Sequence, residues 1–133
     1  PFARERLVES IKKNAPHGNT VILSGDLHQY FAANIPSDLK DYNSPSIATE
    51  FLTTSITSTG DGQPIRPGQE DVLKLNPHIK FINDQRGYQT LDFYPDHMRT
   101  DLKVLDFVEK RGGKLSTVAS FEVAYGKPEL KRV

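Results

Sequence analysis

The run Val21-Ile22-Leu23, apolar without a break and cut off at Ser24-Gly25, constrains the fold more than any other feature of the chain. Consecutive apolar residues leave no polar side, the pattern of a strand buried on both faces of a sheet. Upstream, Ala3, Leu7, Val8 and Ile11 recur at the spacing of one helix face, with Arg4, Arg6, Lys12 and Lys13 elsewhere. This spacing predicts an amphipathic helix over residues 3–14. Lys12 and Lys13 lie in its last turn, where cations suit the dipole, and Asn14, Pro16 and Gly18 stop it. Helix, turn and buried strand form half of a βαβ unit, which places the chain in the α/β class.

The rest of the chain reads mainly as strands. Residues 30–35 have no clean period and fit a second strand or a short helix. Residues 36–46, polar with two prolines, read as a loop, and 47–57, rich in β-branched residues, as a strand. Residues 59–68 hold three Gly and two Pro in a loop long enough to suspect function. A short helix is expected at 71–75, then strands at 79–82, 88–93, 100–108 and 117–123. The segments 83–87, 94–96 and 111–113 carry turn chemistry between them. Leu91 and Phe93 against Asp92, and Leu102 and Val104 against Lys103, alternate partially, as antiparallel strands with one wet face do. A β meander closes the chain.

Composition narrows the functions. Lys plus Arg and Asp plus Glu both number 17, so no long-range field points to nucleic acid or to an anionic membrane surface. The basic stretch from Lys127 to Arg132 reads as a solvated tail without a function. With no Cys, disulfides and thiolate ligands are excluded, leaving His, Asp, Glu, Asn and Tyr as possible metal donors. Neither a transmembrane run nor a signal peptide occurs in this sequence. It opens at Pro1 directly into a helical pattern, as expected of a piece of a longer protein; the 133 residues are read as one unit.

Ser24-Gly25-Asp26-Leu27-His28 stands where the apolar strand ends, the position at which open α/β sheets collect ligands. Asp26 offers a hard carboxylate and His28 an imidazole nitrogen, on an irregular segment able to aim both at one point. The pair suits a first-row transition metal or a calcium neighbour; an Asp capping a turn beside a hydrogen-bonded His is the structural alternative. Asn76-Pro77-His78 and Arg86-Gly87-Tyr88 read either as turns or as a place where His78 or Arg86 meets a bound anion, for which the Arg fork is suited. The hydroxyls of Thr53, Thr54, Ser55, Thr57 and Ser58 fit a polar strand rather than a serine nucleophile. His17 and His97 read as surface histidines in turns.

Taken in order, Ser24 to His28, Glu50 to Ser58, Asn76-Pro77-His78-Ile79-Lys80 and Arg86-Gly87-Tyr88 resemble the C-terminal half of PhoD-like alkaline phosphatases. The resemblance runs from Ala3-Arg4-Glu5-Arg6-Leu7 to the strand at 117–123. It implies the C-terminal part of a calcineurin-like metallophosphoesterase, an α/β/β/α sandwich, with residues 1–133 belonging to one such domain. Members are secreted metal-dependent phosphomonoesterases and phosphodiesterases, which implies a phosphate ester substrate and an extracellular or periplasmic location. Asp26 and His28 would belong to the metal centre, with His28 catalytic, and the metals would be iron and calcium. The remaining ligands, including a Cys that binds iron in some members, lie earlier in the family's chain. The missing N-terminal part of the same domain is thus the expected partner, and this piece alone is expected to be inactive. A degenerate domain serving as a non-catalytic binding or structural module is the competing expectation.

Overall fold

Helix α1 (Phe2–Asn14) leads into β1 (Val21–Ser24) in the computed structural model, which describes residues 2–15 and 17–133. The roles expected of Pro1 and Pro16 lie outside the described residues. The order continues with β2 (Tyr30–Asp38), β3 (Asp41–Leu52), α2 (Gln69–Leu75), β4 (Ile79–Asn83), β5 (Gly87–Phe93), β6 (His97–Leu105), β7 (Leu115–Ala124) and β8 (Lys131–Arg132). The ambiguous segment at 30–35 is thus strand, and the chain is mixed α/β, its strands ending in a meander as expected.

Two four-stranded sheets form, ordered β1-β3-β2-β4 and β5-β6-β7-β8. Among the described residues only β1 and β3 pair in parallel; every other pair is antiparallel. The main core lies where one sheet covers the other. Tyr30, Ala32, Phe51 and Phe81 of the first meet Met98, Leu102, Val104, Ala119, Phe121 and Val123 of the second. The Phe121 ring sits 6.2 Å from that of Phe51 and 6.0 Å from that of Phe81, the spacing of favourable tilted aromatic pairs. On the other face of the first sheet, Val8 and Ile11 of α1 cover Ile35 and Ala48. The layers run helix, sheet, sheet.

Several expectations are corrected. Residues 36–46 are not a loop: β2 and β3 make a long hairpin, with Pro36 opposite Ser46. Register shifts flank Pro36, and an irregular ladder is where a strand tolerates a residue with no N–H. The tight turn at its tip is set by Asp38, whose Oδ1 accepts from the Lys40 N–H at 2.8 Å. β3 ends at Leu52 rather than Thr57, because the chain then leaves the sheet to wrap a buried arginine described below. β1 is an edge strand, with one pairing partner and Leu23 57% exposed, so it is not buried on both faces. The basic tail adds a short edge strand, with Lys131 opposite Glu122 and the Arg132 guanidinium 5.5 Å from the Phe81 ring. His97 begins β6 instead of sitting in a turn, and stacks on Tyr94 at 4.5 Å.

Candidate metal centre

Because β1 and β3 are parallel, both open their carboxyl ends at one edge of the sheet, where Ser24 pairs with Leu52. The Thr53 N–H donates to the Ser24 carbonyl at 2.9 Å and holds the departing chains together. The residues after β1, β3 and β4 therefore converge at this end, the place at which α/β sheets bind ligands.

After β1 the backbone takes an unusual path. The Leu27 N–H donates to the Gly25 carbonyl at 3.0 Å, closing a γ-turn centred on Asp26, whose φ is 75°. A γ-turn with positive φ is the rare, strained form. His28 is also left-handed, at φ 56°, and so is Thr59, at φ 74°, in the loop after β3. These are the non-glycine residues with positive φ among the described residues, and each costs about 1–2 kcal/mol. Two of them meet: His28 Nδ1 lies 2.9 Å from Thr59 Oγ1. With Nδ1 engaged by a hydroxyl, Nε2 is the ring nitrogen left for a metal, the arrangement by which a ligating imidazole is oriented. Asp26 is exposed and His28 half-buried.

These residues fit one share of a metal site. A hard carboxylate oxygen and an imidazole nitrogen suit first-row metals. Among the described residues, however, no group of three or more His, Asp, Glu or Cys comes together to hold an ion. A catalytic metal needs about three protein ligands, so further donors must come from elsewhere.

Beneath this segment lies Arg86, 0% exposed. Its Nη1 donates to the His28 carbonyl at 2.7 Å, to Ser55 Oγ at 3.0 Å and to the Ser58 carbonyl at 3.2 Å. Its Nη2 donates to the Asp84 carbonyl and, at 2.9 Å, to Asp84 Oδ1, which also accepts from Arg66 Nη2 at 2.6 Å. The guanidinium, expected near a bound anion, is sealed among protein acceptors. The Ser55 hydroxyl, for its part, donates to the Ser58 carbonyl at 2.9 Å.

His78 does not join the site. The Asn34 N–H donates to its carbonyl at 2.8 Å, and Asn34 stands four residues along β2 from Tyr30 at the ligand end, about 13 Å away. Its ring packs on Tyr42 at 4.2 Å, and its buried Nδ1 has no hydrogen-bond partner. Burial, helped by the cations of Arg4 and Lys80, holds its pKa below the usual histidine range.

Sequence reasoning singled out Asp26 and His28 as candidates and passed over Thr59, Asp84 and Arg66, which the fold brings to the same segment. The one signal for them was the length of the loop at 59–68, which brings Thr59 to the imidazole and Arg66 to Asp84.

Residues 1–102 match the family described as PhoD-like phosphatase. The alkaline phosphatase D of Bacillus subtilis (strain 168) is 40% identical over 134 residues, which cover 100% of this chain and 23% of the relative. The solved structure described as "Structure of PhoD" matches with a TM-score of 0.90 and 38% identity, over 97% of this chain and 24% of its own. The chain spans about a quarter of the length of these relatives. With the family match running over most of its length and the fold shared over 97% of the chain, the chain belongs to the PhoD-like phosphatase family.

Proposed function

We propose that this chain supplies one segment of the metal centre of a phosphoric ester hydrolase, as the C-terminal part of a larger PhoD-like domain. The observation that carries the reading is the contact between two left-handed, non-glycine residues, His28 and Thr59, beside a third, Asp26, two residues before His28 in the segment after β1. Strain of that kind persists where function requires it. Asp26 and His28 are the ligands, and Thr59 holds Nδ1 of the imidazole, which leaves Nε2 for the metal. The phosphatase names of the relatives support the reaction class. Asp26 and His28 would hold metal ions, iron and calcium by family resemblance, whose chemistry when bound would be Lewis-acid activation of water and neutralisation of phosphoryl charge.

Two observations support a partner segment from the same protein. The ligand group has fewer than three donors among the described residues. β1 also leaves its outer edge unpaired with Leu23 exposed, an edge suited to further strands. The 133-residue chain alone is therefore inactive in this reading, and the full-length protein acts on phosphate mono- or diesters outside the cytoplasm. Among the described residues no helix is long and apolar enough to cross a membrane.

The test is metal content together with hydrolysis of p-nitrophenyl phosphate and its bis ester, on the chain and on the full-length protein in parallel. Metal and turnover in the full-length protein alone, both abolished by His28→Ala, are expected. Turnover by the isolated chain, or near-normal turnover of the His28→Ala protein, would overturn the reading.

A further inference from the structure

We infer that Arg86 is a positioning residue: a buried guanidinium that sets the backbone of both loops carrying the His28–Thr59 contact. The inference rests on the reading of His28 as a metal ligand and adds the element that holds it.

The argument starts from the peptide planes. Arg86 Nη1 donates to the carbonyl of His28 and to that of Ser58, the residue before Thr59. Each carbonyl belongs to a rigid plane adjoining a left-handed residue, so holding it limits rotation about one backbone bond of that residue. A single nitrogen thus governs both residues whose side chains meet at 2.9 Å. The bonds come from a permanent charge shut off from water, where charge-assisted hydrogen bonds are strongest.

The guanidinium is itself fixed. Its Nη2 is held by Asp84, and Asp84 by Arg66 from the same long loop as Thr59, while the buried Nε has no hydrogen-bond partner. The backbone of Arg86 is anchored to the second sheet, where the Leu105 N–H donates to its carbonyl at 2.9 Å. Gly62 closes the roof: a Cβ there would stand 2.0 Å from the Asp84 carbonyl oxygen and 2.7 Å from Arg86 Nη2. The first and second sheets and the long loop therefore meet on one side chain under the ligand segment. A lysine could not replace it, since one ammonium cannot serve the His28 carbonyl and Asp84 with a fork's geometry.

The experiment compares Arg86→Lys, Ser55→Ala and His28→Ala in the full-length protein. Kinetics on p-nitrophenyl phosphate are paired with hydrogen exchange on chelator-treated samples. Arg86→Lys is expected to lower kcat about tenfold or more with KM within about twofold, because misplacing a reacting group costs rate before binding. Exchange in peptides spanning 25–29 and 55–62 is expected to quicken about tenfold in the absence of metal while β6 and β7 stay protected. Ser55→Ala removes one acceptor without unpairing the buried charge and is expected to shift both readouts the same way by about threefold. Normal kcat and normal loop exchange in Arg86→Lys overturn the inference. If that variant unfolds, exposing β6 and β7 as well, normal values in Ser55→Ala overturn it. Loss of metal and turnover in His28→Ala alone leaves the ligand reading intact while the positioning role fails. A His28→Ala protein that keeps both removes the ligand reading and the inference together.

Discussion

Replacing Asp26 with glycine separates what this residue does for function from what it does for the fold. Its φ of 75° costs an L-residue about 1–2 kcal/mol, which glycine does not incur. Glycine in turn frees the unfolded chain by about 0.4–1 kcal/mol. The difference leaves Asp26→Gly between neutral and about 1.5 kcal/mol more stable in the metal-free protein, whereas glycine in an ordinary helix or strand destabilises by about 0.5–1 kcal/mol. Alanine keeps the strain without the tolerance of a short polar side chain, so the expected order of stability is Gly, then Asp, then Ala. Urea unfolding of chelator-treated protein, followed by far-UV circular dichroism, reads this order. Turnover of the full-length protein is expected to be lost in both variants. An Asp26→Gly protein less stable than the parent by more than about 1 kcal/mol would refute the strain argument, and retained turnover would refute the ligand role.

Phe121→Ala empties the centre of the sandwich between Phe51 and Phe81 and is expected to cost about 3–5 kcal/mol; a loss under about 1.5 kcal/mol in urea unfolding would mean the sheets do not pack this way. Gly62→Ala forces a Cβ against the Asp84 carbonyl at φ 73°, and should destabilise by about 2 kcal/mol or more and lower turnover of the full-length protein, with normal values of both as the contrary result. His78 has a folded pKa below its unfolded one, so as pH falls from neutrality the unfolded chain takes up the proton first and stability declines from about pH 6.5 downward. His78→Gln should flatten that decline between about pH 7 and 5, and an unchanged slope would place His78 in solvent. Below this range Asp101, whose pKa the Ser120 hydrogen bond lowers, adds a further loss of stability as it is protonated.

What the sequence determined by itself was local. The period of Ala3, Leu7, Val8 and Ile11 made α1, the apolar run made β1, and turn residues at 94–96 and 111–113 separated the strands of the meander. Gly25-Asp26-Leu27-His28 could be singled out as a candidate site because a strand end beside two metal-type donors is a short-range pattern. Tertiary structure decided the rest, through contacts between residues far apart in the chain. Pro36 stays inside a strand because the ladder to β3 shifts register around it. Leu23, apolar on paper, is exposed because β1 has a neighbour on one side only. Thr59 reaches His28 across 31 residues and Arg86 reaches the same residue across 58. Period and propensity describe which side chains share a face, but a sealed guanidinium exists only once two sheets and a loop have closed over it. That closure turned Arg86 from a candidate on a turn into the buried support beneath the ligand segment.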